Sequence, residues 1–148
     1  MNPTSAASGD AIGATTSAPK ILYCHCRYAQ VVPANVKNDV LRRLCESQAP
    51  FEAVPDLCEL SARKDPTLAT LARDGAVKIA ACYPRAVKWL FAAAGHPLVA
   101  SQTEVLNMRT LPSAEIAEAL TSGQLRPNLP LDHTPPSASA SQPANNAV

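Results

Sequence analysis

The chain has 148 residues, 47% of them hydrophobic, and a formal net charge of +1 at pH 7. This length suits one domain with a modest hydrophobic core. The nearly balanced charge and the low aromatic content of 4% argue against nucleic acid as a partner, because nucleic acid is bound by basic surfaces and stacking rings.

Residues 1–19 are small and polar, and they lack the basic start and apolar run of a secretory signal. No stretch approaches the about 20 apolar residues that are needed to cross a bilayer. We therefore expect a cytoplasmic protein without a membrane span. In this reducing compartment, clustered cysteines more often bind metal or carry out redox chemistry than form disulfides, and five cysteines cannot all pair.

Composition also predicts the domain boundaries. Residues 1–19 and 125–148 are rich in small polar residues and proline and show no apolar periodicity, so we predict two disordered tails. Such segments bury too little apolar surface to offset the entropy lost on ordering. Residues 20–124 are left as one folded domain.

Strand and helix patterns alternate within this domain. Short apolar or alternating runs predict strands at 20–24, 51–57, 76–81 and 104–108. In the third of these, Val77, Ile79 and Ala81 alternate with Lys78 and Ala80. Apolar residues at helical spacing, bounded by proline, Asp or Ser at the start and often glycine at the end, predict helices at 33–47, 65–75, 84–95 and 113–123. The order predicts an α/β fold, a three-layer, mainly parallel sheet of about four strands with helices packed on it. Pro55 argues for an edge position or an early end of the second strand.

Four of the five cysteines follow predicted strands. Cys24 and Cys26 end the first strand, Cys58 comes just past the second, and Cys82 ends the third. Because the carboxyl ends of parallel strands share one edge, where open α/β folds bind ligands, we expect these four side chains to converge on one site. Cys45 falls inside the first helix, where we predict a small buried hydrophobic residue.

Four thiolates are the usual ligands of a [4Fe–4S] cluster and also of structural zinc. Zinc sites usually draw on two Cys-x₂₋₄-Cys pairs, whereas this chain has one tighter pair, so the cluster is favoured over zinc. In extended backbone, Cys24 and Cys26 would share a face at a separation of about 6.6 Å. A thiol-redox or sulfur-transfer protein is the other alternative. There Cys82, at a helix start that should lower its pKa, would act with Cys24 or Cys26.

Other side chains near the cysteines are weaker candidates. Strand alternation directs His25 away from its two neighbours, which favours packing over ligation. Asp56 and Glu59 flank Cys58 and are expected to be either solvated loop charges or a proton relay. Trp89, on the third helix, is a candidate partner surface.

Two motifs resemble a known family. The run Cys24-His25-Cys26 and the run Ala81-Cys82-Tyr83-Pro84-Arg85 each follow an apolar strand. They are similar to the N-terminal domain of the iron–sulfur flavoprotein subunit of heterodisulfide reductase, which has Cys-His-Cys, a lone middle cysteine, and then Ala-Cys-Ser-Pro-Arg. Leu106-Asn107-Met108-Arg109 is similar to the Asn-x-Arg that follows in that family.

The resemblance implies an iron–sulfur electron-transfer module with Cys24, Cys26, Cys58 and Cys82 at its redox site. It also implies a flavoprotein or hydrogenase-type partner, with this chain belonging to a larger oxidoreductase rather than acting as an enzyme on its own. The family's flavin domain is not expected here, because the chain has no Gly-x-Gly-x-x-Gly and is too short to include one.

Overall fold

The structure is a computed structural model that describes residues 18–28, 30–73 and 75–131. Most of the two predicted tails, residues 1–17 and 132–148, lies outside the described residues. No helix in the described part of the chain combines the length and the apolar character that crossing a membrane requires.

The predicted α/β class is confirmed by a sheet of four parallel strands in the order β2-β1-β3-β4. The strands are β1 (Lys20–Cys24), β2 (Glu52–Val54), β3 (Val77–Ala81) and β4 (Thr103–Asn107). Strand β2 is short and lies at the edge, as Pro55 predicted.

Five α-helices belong to the described residues, and a 3-10 turn at Ala100–Gln102 precedes β4. The helices are α1 (Ala34–Ser47), α2 (Leu57–Ala62), α3 (Thr67–Arg73), α4 (Pro84–Ala93) and α5 (Ser113–Thr121). Helix α1 packs against α5, and α2 packs against α4. These helices form the layers that cover the sheet. Helix α2 was not predicted, because the sequence pattern indicates the end of the second strand and a loop at these residues.

The longer helices bury apolar residues about one turn apart, as their periodicity predicted. These residues are Val40 and Leu44 on α1, Val87 and Phe91 on α4, and Ile116 and Leu120 on α5. They pack on β1, β3 and β4, whose residues are almost all buried. The core therefore lies between the sheet and the helices that cover it.

The burial of Lys78 corrects the predicted alternation of β3. All five residues of β3 are buried, because the strand lies inside the sheet and is covered on both faces. Lys78 is 0% exposed, and its Nζ donates hydrogen bonds to the Ala119 and Ser122 carbonyls at the end of α5. Burial lowers the pKa of Lys78, while the carboxylate of Glu104 on β4 acts in the opposite direction.

The folded region extends past residue 124, where the sequence placed its end. The Asn128 side chain accepts a hydrogen bond from the Val105 amide and donates one to the Val105 carbonyl, both 2.8 Å long. The Arg126 amide donates to Glu104, and Leu129 is buried in the core. Residues 126–129 thus cover the outer edge of β4, which would otherwise present unpaired backbone groups.

The strand order creates a crevice at the carboxyl ends of β1 and β3. From β1 the chain moves outward to β2, and it then returns to the opposite side of β1 to form β3. At such a switch in direction, the connections leave the sheet on opposite sides, and open α/β folds bind ligands there. Cys24 ends β1, and Cys82 follows β3 directly.

Candidate functional site

The structure brings the four predicted cysteines to one small cavity in this crevice. The cavity has a volume of about 20 Å³, roughly the space of one water molecule. Its walls also include apolar side chains of α2 and α4; the full set is Cys24, Cys26, Val31, Asp56, Leu57, Cys58, Ala81, Cys82, Val87 and Leu90. Residues from three strand ends therefore share one site, and their role as ligands stays a prediction.

Cys24 and Cys26 are much closer than an extended strand would place them. Their Sγ atoms are 3.5 Å apart, closer than the repeat of about 6.6 Å between alternate residues of an extended backbone. The reason is that Cys26 has a φ of +51°, in the left-handed region that non-glycine residues rarely adopt. The pairing of β1 with the edge strand β2 continues past Cys24, because the His25 amide donates a hydrogen bond to the Val54 carbonyl. The turn folds the second sulfur back onto the first.

The pKa values of these two thiols are shifted in opposite directions. The side-chain contact with Cys26 is the largest influence on Cys24 and lowers its pKa, and the Leu57 amide, 3.3 Å from the Cys24 Sγ, acts in the same direction. The same contact, together with burial, raises the pKa of Cys26. These directions make Cys24 the site's most readily formed thiolate.

Cys58 and Cys82 form the solvent side of the cavity. Cys58 is exposed on α2, and Cys82 is half-buried one residue before the Tyr83 cap of α4. Burial raises the pKa of both thiols; the charge of Asp56 adds to this at Cys58, and that of Cys24 at Cys82. The prediction that the helix start lowers the pKa of Cys82 was therefore wrong, because desolvation outweighs it.

Asp56 has a structural role that its position beside Cys58 in the sequence did not reveal. Its carboxylate is 2% exposed, which excludes a solvated loop charge, and it caps the start of α2. Oδ1 accepts the amides of Cys58 and Glu59, and Oδ2 accepts the amide of Tyr28 at 2.9 Å. Asp56 thereby ties the loop after Cys26 to the helix that carries Cys58. The pattern Asp-x-x-Glu at residues 56–59 is a capping-box signal that would have predicted this helix.

We expect Asp56→Ala to lower the free energy of unfolding by about 1–3 kcal/mol, since it removes a helix cap and leaves three amides without their acceptor. Asp56→Asn should lose less, because its remaining carbonyl oxygen still caps α2. Asp65→Ala, which removes the acceptor of the Thr67 amide outside the site, is the matched control. Urea denaturation measures all three, and equal losses at positions 56 and 65 would contradict this account of the loop.

The other cysteine and the histidine lie away from the cavity. Cys45 is exposed on α1, which corrects the prediction that it is buried. His25 faces a separate pocket lined by Tyr23, Leu41 and Pro55, among others, and its Nδ1 is 3.0 Å from the Tyr23 Oη. The predicted orientation of His25, opposite to its two cysteine neighbours, is thus what the structure shows.

The donor geometry can be compared with what different metals require. A single tetrahedral zinc needs its donors around one point at about 2.3 Å. Among residues 18–28, 30–73 and 75–131, no group of three or more His, Cys, Asp or Glu side chains is arranged to hold a metal ion. A four-iron cluster has a different requirement, because its four thiolates surround a polynuclear body. Four cysteines around one cavity provide this donor set.

Cluster binding would require the cavity to widen. Thiolates on different irons are farther apart than the 3.5 Å that separates the Sγ atoms of Cys24 and Cys26, and the cavity of about 20 Å³ has room for a water only. Cys58 is exposed and Cys82 half-buried, so the wall toward solvent is made of side chains that can turn outward. The residues therefore fit a cluster in donor chemistry, with a change of rotamers or loop position.

Comparison of the chain with protein-family models, with curated proteins and with solved structures finds no match. The resemblance to the heterodisulfide reductase flavoprotein thus rests on these sequence motifs alone.

Proposed function

We propose that this chain is an electron-transfer module whose Cys24, Cys26, Cys58 and Cys82 hold a [4Fe–4S] cluster. The observation that carries the proposal is that cysteines from three strand ends line one cavity at the crevice between β1 and β3. The cluster would supply a one-electron redox couple.

The chain's own residues would hold the site and set its environment. Cys24 and Cys26 would bind from the end of β1, Cys58 from α2, and Cys82 from the end of β3. The Leu57 amide already donates to the Cys24 sulfur, and hydrogen bonds to ligand sulfurs are one of the ways a protein tunes a cluster's reduction potential. Val87 and Leu90 on α4 cover the cavity with apolar groups and exclude water.

An electron carrier of this kind works with a second redox protein. The motif resemblance points to a cytoplasmic flavoprotein or hydrogenase-type partner, with this chain as one component of the oxidoreductase. We include that partner in the proposal on the resemblance alone.

Purification without air, followed by a visible spectrum and analysis for iron, sulfide and zinc, tests the proposal. We expect a brown protein with four irons and four sulfides per chain. A colourless protein with one zinc per chain would instead support the structural zinc alternative. A colourless, metal-free and well-folded protein would contradict both.

A second candidate function, dithiol exchange, is favoured by the 3.5 Å contact between the Cys24 and Cys26 sulfurs. The Cys24 thiolate would attack a disulfide of a partner molecule and release one thiolate from it. The Cys26 thiol would then displace the second partner sulfur, and its proton would leave with that group. The products are a Cys24–Cys26 disulfide and two reduced thiols. The pKa directions favour Cys24 over Cys82 as the attacking residue. Cys24 and Cys26 are both buried, so this reaction, like cluster binding, would require the cavity to open toward solvent.

We expect the reaction of metal-free protein with dithiodipyridine to have a lower pH–rate midpoint than that of an ordinary cysteine thiol, since the pKa of Cys24 is lowered. The experiment uses a variant in which the two exposed cysteines are replaced, Cys45→Ser and Cys58→Ser. Adding Cys26→Ala should trap a mixed disulfide and move the midpoint of the pH–rate curve upward, because the main cause of the lowered pKa is lost. A midpoint that does not move with Cys26→Ala would count against dithiol exchange.

A further inference from the structure

A second, larger pocket lies beside the cysteine cavity, on the outer side of α4. Its volume is about 570 Å³, within the range of about 300–1,000 Å³ that small-molecule sites occupy. It is lined by Tyr83, Pro84, Arg85, Ala86 and Trp89 and by two residues of the C-terminal segment, Asn128 and Pro130. The first of these, Tyr83, follows Cys82 directly in the chain.

Two large aromatic rings border this pocket and remain open to solvent. Trp89 is 64% exposed and Tyr83 is 45% exposed, values that are unusual for rings of this size in a folded domain. The guanidinium carbon of Arg109 lies 4.5 Å from the centre of the Tyr83 ring, which holds that ring by a cation–π contact. The rings thus offer faces on which a planar molecule can stack.

The charge at this pocket is positive. Arg85 lines it and is exposed, Arg109 stands behind the Tyr83 ring, and among the residues that the structure describes no carboxylate lines the pocket. A guanidinium binds carboxylate, sulfonate and phosphate groups through paired hydrogen bonds. Apolar rings beside one guanidinium complement a ligand that is aromatic at one end and anionic at the other.

We propose that this pocket binds a small planar aromatic anion, stacked on Trp89 and Tyr83 with its acidic group on Arg85. The site is adjacent to the cysteine cavity through the peptide bond between Cys82 and Tyr83. The inference goes beyond the proposed function and is independent of what the four cysteines hold.

The chain's single tryptophan makes binding directly observable. The probe is anilinonaphthalene sulfonate, and its uncharged relative phenylnaphthylamine serves as the matched ligand control. We expect saturable binding of one probe per chain, with quenching of the Trp89 emission by energy transfer. The uncharged relative should bind about ten-fold more weakly, because it forgoes a charge-assisted hydrogen bond.

Two substitutions test where the probe binds. Arg85→Gln should weaken binding of the sulfonate about ten-fold and leave binding of the uncharged relative unchanged. Arg63→Gln, an exposed arginine outside the pocket, should change neither affinity.

Several results would overturn the proposal. These are equal affinities for the two probes, or equal effects of the Arg85 and Arg63 substitutions. Sedimentation of the protein as a dimer that dissociates when the probe binds would assign the pocket to a second copy of the chain instead.

Discussion

Replacing the buried Lys78 with methionine is expected to lower the free energy of unfolding by about 3–5 kcal/mol, enough to unfold many domains of this size. Methionine keeps the apolar stem of the lysine but removes its ammonium group. The measurement is urea denaturation followed by circular dichroism.

This loss of stability is expected because the ammonium group donates hydrogen bonds to several acceptors. Its Nζ lies 2.6 Å from the Ala119 carbonyl, 2.9 Å from the Ser122 carbonyl and 3.1 Å from the Ser122 hydroxyl. These carbonyls lie at the carboxyl end of α5. The last carbonyls of a helix have no hydrogen-bond partner within the helix, and the helix dipole favours a cation beside them. The carboxylate of Glu104, 4.0 Å away and 5% exposed, would be left without the charge that faces it.

The matched control is Lys64→Met, at an exposed position outside the core. We expect it to change the stability by less than about 0.5 kcal/mol, as surface substitutions usually do. Similar losses at positions 64 and 78 would show that the network at the end of α5 does not hold the fold.

A serine scan of the cysteines is expected to divide them into two groups. Cys24→Ser, Cys26→Ser, Cys58→Ser and Cys82→Ser should each remove most of the bound iron and sulfide, because a cluster held by three thiolates is less stable and open to water. Cys45→Ser should keep the wild-type content, since Cys45 lies on α1, outside the cavity. Iron and sulfide analysis after purification without air measures the effect.

Circular dichroism of each variant separates loss of the cluster from loss of the fold. Serine is close to cysteine in size, so the far-ultraviolet spectrum should remain that of a folded α/β protein. Loss of iron in Cys45→Ser, or its retention in Cys58→Ser, would contradict the assignment of ligands. Loss of iron in the Cys24 and Cys26 variants alone would support a site confined to that pair.

The sheet and the convergence of the cysteines follow from patterns that are local in sequence. Apolar strands alternate with helices at short spacing, and parallel strands then place Cys24, Cys58 and Cys82 toward one edge. The edge position of β2 was predictable too, because Pro55 cannot donate a backbone hydrogen bond. Helices α1, α3, α4 and α5 could be predicted from their apolar periodicity and their terminal residues alone.

The geometry inside the site depends on contacts that sequence periodicity does not carry. The positive φ of Cys26 places its sulfur against Cys24, and it results from the loop being held by the Pro55 carbonyl and by Asp56. Alternation predicted a polar face for Lys78, but a strand inside the sheet is covered on both faces, and the ammonium group finds acceptors on α5. Both are tertiary effects that override a local pattern.

Two further differences have separate causes. Residues 125–131 have the composition of a tail, yet Asn128 pairs with the exposed edge of β4, an interaction that composition cannot indicate. Cys45 was expected to be buried because it lies beside Leu41 and Leu44 in α1. Leu44 points about 100° away from Cys45 around the helix, Leu41 is only partly buried, and Cys45 faces solvent. The missed helix α2 is different, because its capping signal from Asp56 to Glu59 was present in the sequence.

Native mass spectrometry of the full chain, purified without air, tests the central claim most directly. The four-cysteine site predicts the mass of the chain plus one [4Fe–4S] cluster, unchanged in Cys45→Ser apart from the substitution itself. The mass of the bare chain with five alkylatable cysteines, or of the chain plus a single zinc, would contradict it.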